Sequence, residues 1–234
     1  TTLGGAVSGV SYVGGLIGQN ITSAITNSIA TGSVSSTITS DAYTGGLVGD
    51  NNSSIASSSA TGNVNAAGRY VGGLVGNNSS TSISNSFATG NVSGTSLVGG
   101  LVGNNFSVTV DNSYATGNVS GTSLYVGGLI GLNNYNSTIT SSYATGSVLG
   151  KNGSNVYQNN VGGLIGYNTR SNVSGSYHTT GTVQGLDNVG GLIGYNEGSS
   201  SPSSTINTSY SSGSVSGRNY VGGLVGYSYQ NSAI

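Results

Sequence analysis

Residues 71–97 read VGGLVGNNSSTSISNSFATGNVSGTSL, and the fold turns on the fact that the string then starts again. Its opening unit, VGGLxG with x Val or Ile, begins at Val13, Thr44, Val71, Val98, Val126, Val161, Val189 and Val221, at intervals of 31, 27, 27, 28, 35, 28 and 32 residues. The basic unit is therefore 27–28 residues, and residues 35–43, 149–160 and 197–204 enlarge three copies. A second string trails the first. It reads SIATGSVSS from Ser28, SFATGNVSG from Ser86, SYATGNVSG from Ser113 and SYATGSVLG from Ser142, with looser copies from Ser176 and Ser209. Self-similarity at such a period marks a stack of repeats in which each unit buries its apolar side only against its neighbours.

Composition narrows the choice of stack. The 234 residues hold 43 Gly, one Pro (Pro202) and no Cys, Met or Trp. Glycine costs roughly 1 kcal/mol per helical position against Ala, and Ser, Thr, Asn and Val are poor helix formers as well. The chain is therefore expected to be all-β. Four basic and five acidic residues leave a net charge of −1, with no electrostatic footprint for nucleic acid. No apolar run approaches the ~18–20 residues of a membrane span, so no membrane insertion is expected. The missing initiator Met makes Thr1 a processed end or the start of a fragment, and a mature, extracellular or cell-surface chain is the expectation.

The units resemble the GLUG motif, a short Gly-Leu-any-Gly repeat of large bacterial surface proteins. Gly15-Leu16-Ile17-Gly18, Gly73-Leu74-Val75-Gly76 and their equivalents carry the resemblance over essentially the whole chain. Proteins of that kind include filamentous-haemagglutinin-type adhesins and the repeat arrays of some IgA peptidases. The resemblance implies a parallel β-helix on a cell surface and no particular ligand.

Within residues 71–97, three apolar-bearing stretches are separated by Asn-Asn-Ser and Ser-Gly-Thr turn chemistry. A single parallel β-helix (β-solenoid) domain over residues 1–234 follows, with about eight coils of 27–28 residues and three short strands per coil. Coils spaced ~4.8 Å apart place equivalent residues above one another. Alternation then turns Ala30, Ala60, Ala88, Ala115 and Ala144 inward, with Val34, Val64, Val92, Val119 and Val148 in phase. Phe87, Tyr114, Tyr143, Tyr177 and Tyr210 fall on the opposite parity as an outward aromatic ladder, beside Thr89, Thr116 and Thr145. Asn20, Asn51, Asn78, Asn105, Asn133, Asn168 and Asn196 share one position after VGGLxG. They are expected to stack as hydrogen-bonded amides at a corner. Alternation does not assign the inward face of the VGGL stretch beyond its Leu and Val being core, and its glycine pair reads as a bulge or a close backbone approach.

Chemistry of other kinds finds little purchase. Glycoside cleavage generally uses two facing carboxylates, and the acids Asp41, Asp50, Asp111, Asp187 and Glu197 are scattered over different repeats. His178 is the one histidine and reads as an ordinary surface residue. No catalytic, metal or cofactor site is expected. Sequons at Asn20, Asn78, Asn91, Asn105, Asn118, Asn136, Asn172 and Asn207 are candidate N-glycosylation sites. The aromatic ladder suits glycans as ligands, whereas ice binding fits less well because aromatics interrupt the threonine rows. Arg69, Lys151 and Arg218 fall on one turn and would make a basic edge.

The two ends form partial coils, residues 1–12 and 221–234, with 26 residues between Val221 and the Val13 of a copy joined end to start. The expected partner is therefore the chain itself, stacked head-to-tail as a homopolymeric filament. A stalk or passenger fragment cut from a longer adhesin array remains the alternative.

Overall fold

The computed structural model describes residues 1–150, 160–199 and 203–234. These residues form forty short strands in five parallel sheets of eight, each strand pairing with its equivalent one coil above and below. The third coil shows the path. Ser59–Ala60 lies in an alanine sheet, Val64–Ala66 in a valine sheet and Arg69–Gly72 in a glycine sheet. Val75–Ser79 then enters an asparagine sheet and Ile83–Ser84 an isoleucine sheet, before Phe87–Ala88 opens the fourth coil. Eight such coils stack, from Thr2–Leu3 to Ser232–Ala233.

The parallel solenoid of about eight coils is present, but each coil has five strands where three were expected. Two of the three apolar stretches are folded in half. The stretch from Ser82 breaks at Asn85, which takes a left-handed φ of 48°, so Ile83–Ser84 and Phe87–Ala88 join different sheets. Asn27, Ser57, Asn112, Ser141 and Thr208 turn the same corner with φ between 44° and 49°. Short polar side chains tolerate this conformation best. The VGGL stretch breaks at its glycines. A Cβ on Gly73 would sit 2.0 Å from the Gly100 carbonyl oxygen and 2.9 Å from the Ala88 methyl, so any other residue would push the coils apart. The glycine pair is a close backbone approach, and it lets the chain turn with Leu74 inside.

Two apolar columns run the length of the stack. In one, the leucines of VGGL (Leu47, Leu74, Leu101, Leu129, Leu164, Leu192) pack with the alanine column and with Ile55, Ile83 and Ile139. In the other, Val64, Val92 and Val119 of the valine sheet meet Val71, Val98 and Val126 of the glycine sheet. The opening Val of VGGL and its Leu are thus both interior, each in a different column. Nearly all of these side chains are fully buried, and burial of each Val, Leu or Ile stabilises the stack by roughly 1.5–3 kcal/mol.

The enlarged copies remain in register. Of the enlarged segment 35–43, only residues 37–42 lie between Val34–Ser36 and Tyr43–Gly45, which pair normally with the adjacent coils. Most of the insertion at 149–160, including Lys151, and the centre of that at 197–204 lie outside the described residues. Among the described residues no helix is long and apolar enough to cross a membrane.

Candidate functional site

The most built polar feature is a buried column of amides. Asn20 Nδ2 donates to Asn51 Oδ1 at 2.8 Å, and the bond repeats through Asn78, Asn105, Asn133, Asn168 and Asn196 at 2.8–3.1 Å. The second Nδ2 proton returns to a carbonyl of the following corner, as from Asn20 to Ser23 O and from Asn168 to Ser171 O. All seven are buried, six of them at 0% exposure and Asn20 at 4%. At the eighth coil the position becomes Ser228, and Asn196 Nδ2 is left buried without a partner.

Burial changes the reading of the sequons. Asn20, Asn78 and Asn105 have their amides inside the column, so the folded chain offers no nitrogen there for a glycan. Asn91, Asn118, Asn136, Asn172 and Asn207 are exposed. Asn91 and Asn118 still act in the stack, because their Oδ1 atoms accept the backbone N–H of Asn118 and Ser147 at 2.9 Å.

A second polar ladder escaped the sequence reading. The serine opening the second string accepts the backbone N–H of its counterpart one coil below, as Ser86 Oγ does from Ser58 N and Ser113 Oγ from Ser86 N, both at 3.1 Å. Each hydroxyl in turn donates two residues back, as from Ser86 to Ser84 O. The signal was the invariance of that Ser at Ser28, Ser58, Ser86, Ser113, Ser142, Ser176 and Ser209 in a serine-rich background. It satisfies backbone N–H groups at the corner, where strand pairing cannot.

The aromatic ladder lies on the outer face. Phe87, Tyr114, Tyr143, Tyr177 and Tyr210 stack with ring centroids 4.9–5.0 Å apart and planes within 11°. Thr89 and Thr116 are exposed beside them.

His178 is not a surface residue. It takes the place of the column alanine, pairing in register with Ala144, and is fully buried. Its Nε2 lies 3.1 Å from the Gly146 carbonyl oxygen, and Nδ1 has no partner. Burial pushes its basicity below the ordinary imidazole value, against the opposing effect of the Gly146 bond.

Of the expected basic edge, the two described residues are paired with carboxylates, and Lys151 lies outside the described residues. Arg69 pairs with Asp41 at 3.2 Å and Arg218 with Asp187 at 3.1 Å. The remaining acids are also occupied: Asp50 accepts from Gln19 and Asn77, Asp111 from Thr140, and Glu197 from the Tyr167 hydroxyl. Each carboxylate is thus tied to the coil above or below. Among the described residues no three of His, Asp and Glu gather as a metal site.

Comparison with known families settles the repeat. The GLUG motif model matches residues 9–35, 67–93, 94–120 and 122–149. The chain carries GLUG-motif repeats. The coils beyond those matches continue the GLUG architecture, with the same five sheets through Ser232–Ala233. No curated protein and no solved structure matches the chain. A GLUG β-solenoid is a structural repeat, and its geometry here is one of ladders.

Proposed function

We propose that this GLUG solenoid is a non-catalytic structural rod of the cell surface or extracellular matrix, extended by axial stacking of coils into a filament. The carrying observation is that each coil meets the next through the same five sheets. Two apolar columns run with them, and an amide column joins the first seven coils. In the first and eighth coils each strand pairs with a neighbour on its inner side only. Their apolar residues Leu16, Ile17, Leu224 and Val225 are only partly buried. An open parallel edge of this kind is a template for another coil. Engagement of all five carboxylates within the stack supports the absence of catalysis.

A stalk segment of a larger adhesin is the second reading, in which the same junction is made inside one longer chain. Negative-stain electron microscopy of the purified chain separates the two. The filament reading expects unbranched fibres that lengthen with protein concentration. Uniform short rods at every concentration would overturn it.

A further inference from the structure

We infer that the flank of the fifth to eighth coils carries a binding notch for a short neutral saccharide. The site is independent of axial stacking and is built from two substitutions in the repeat. The residue before each VGGLxG unit is Tyr12, Tyr43 and Tyr70 in the first three coils, and these rings stack at 5.2 and 4.8 Å into a closed column. In the fifth and eighth coils it is Tyr125 and Tyr220, but between them stand Asn160 and Asn188. Leu97 interrupts the column in the fourth coil, and between Tyr125 and Tyr220 it is missing two rings. Alongside, the outward position of the asparagine sheet changes in the opposite sense. It is Gln19, Asp50, Asn77 and Asn104 in the first four coils, and Tyr167, Tyr195 and Tyr227 in the last three.

The result is a cavity of about 420 Å³, within the usual range for small-ligand sites. Tyr125 and Tyr220 stand three coil spacings apart, roughly 14 Å at ~4.8 Å each, a span suited to two or three sugar rings. Tyr167, Tyr195 and Tyr227 form the wall, with centroids 5.0 and 5.2 Å apart. The Asn160 and Asn188 amides, joined by a 2.7 Å bond, line it together with them.

This chemistry selects the ligand class. The wall rings pack on one another and on Tyr125 and Tyr220, so a ligand meets ring edges, phenol hydroxyls and amides, which donate to and accept from the hydroxyls of a sugar. The Glu197 carboxylate, held by the Tyr167 hydroxyl, adds an acceptor beside the wall. The neighbouring cation, Arg218, is already bound to Asp187. Among the described residues Arg170 lies over the Tyr135 ring, so an anionic sugar would meet the Glu197 carboxylate first, which favours a neutral one.

Isothermal titration of the full chain with chitotriose, cellotriose, maltotriose and mannotriose tests the site. Saturable binding of at least one is expected. The double variant Asn160→Tyr/Asn188→Tyr, which completes the column, should weaken it at least about tenfold while the melting temperature shows the fold intact. Tyr195→Ala provides a second measure should the plugged variant fail to fold. Tyr143→Ala, in the other aromatic ladder, should leave binding unchanged. No saturable binding to any of the four, retention by a folded plugged variant or by Tyr195→Ala, or loss on Tyr143→Ala would each overturn the notch.

Discussion

Asn105 illustrates how much rests on single side chains in a stack. It accepts from Asn78 and donates to Asn133, all three fully buried. Asn105→Ala orphans one buried donor and one buried acceptor, and should destabilise by about 2–4 kcal/mol, read as a lower urea midpoint. His178 makes the opposite kind of prediction. Its imidazole is buried neutral, with a folded-state affinity for protons below that of the unfolded chain. Stability is therefore full above the unfolded value of about 6.5 and is lost as pH falls below it, because the unfolded chain binds the proton first. Thermal melts should show an acid-side loss that His178→Ala, restoring the residue found at Ala30, Ala60, Ala88, Ala115 and Ala144, removes. An unchanged pH profile in that variant would place the acid sensitivity elsewhere. That Asn105 belonged to a ladder was legible, since a fixed residue at a fixed period needs no partner to be noticed. The burial of His178 was not, because a single His carries no period.

At the scale of elements, the tyrosine columns couple neighbouring coils through their hydroxyls as well as their rings. Burial, followed by the neighbouring Tyr114 and Tyr177, holds the Tyr143 hydroxyl above its ordinary pKa. Burial and Glu197 push Tyr195 up to about 12. Burial and the bond to Glu197 push Tyr167 up further still. In each case the folded chain holds its proton more tightly than the unfolded chain. This stabilisation is complete below the unfolded value of about 10 and is lost as pH rises through it. An ultraviolet tyrosinate titration should show a delayed class of tyrosines whose ionisation accompanies unfolding. All fifteen tyrosines titrating together near the free value would contradict this. The strand count shows where element-level reading stopped. Periodicity identified three apolar stretches, but the left-handed turn at Asn85 and the crowding at Gly73 divide two of them. Neither a backbone angle nor an approach between coils is written in hydrophobic alternation.

At the scale of the whole molecule, the proposed filament makes its prediction at the outer edge of the first coil. Val7 N–H donates to Ser33 O of the second coil at 2.9 Å, so alternation points the Ser8 N–H out of the first coil along the stacking axis. Ser8→Pro removes that donor and sets a ring on the edge without breaking a bond inside the coil. Under the filament reading it should shorten or abolish fibres while the melting temperature of the single rod stays close to that of the parent. Fibres of unchanged length from Ser8→Pro would show that the first coil does not form the junction.

The amino-acid sequence by itself determined the period, the parallel stacking, and the identities of the alanine, valine, asparagine and tyrosine ladders. Each of these repeats, so each copy testifies for the others without knowledge of what it touches. Only the tertiary structure decided that the coil has five sides, that the sequons at Asn20, Asn78 and Asn105 are sealed inside, that Arg69 and Arg218 are paired with Asp41 and Asp187, and that Asn160 and Asn188 open a notch. These depend on which faces meet across coils 27–35 residues apart. A departure from the repeat acquires meaning only when its neighbours above and below are in place.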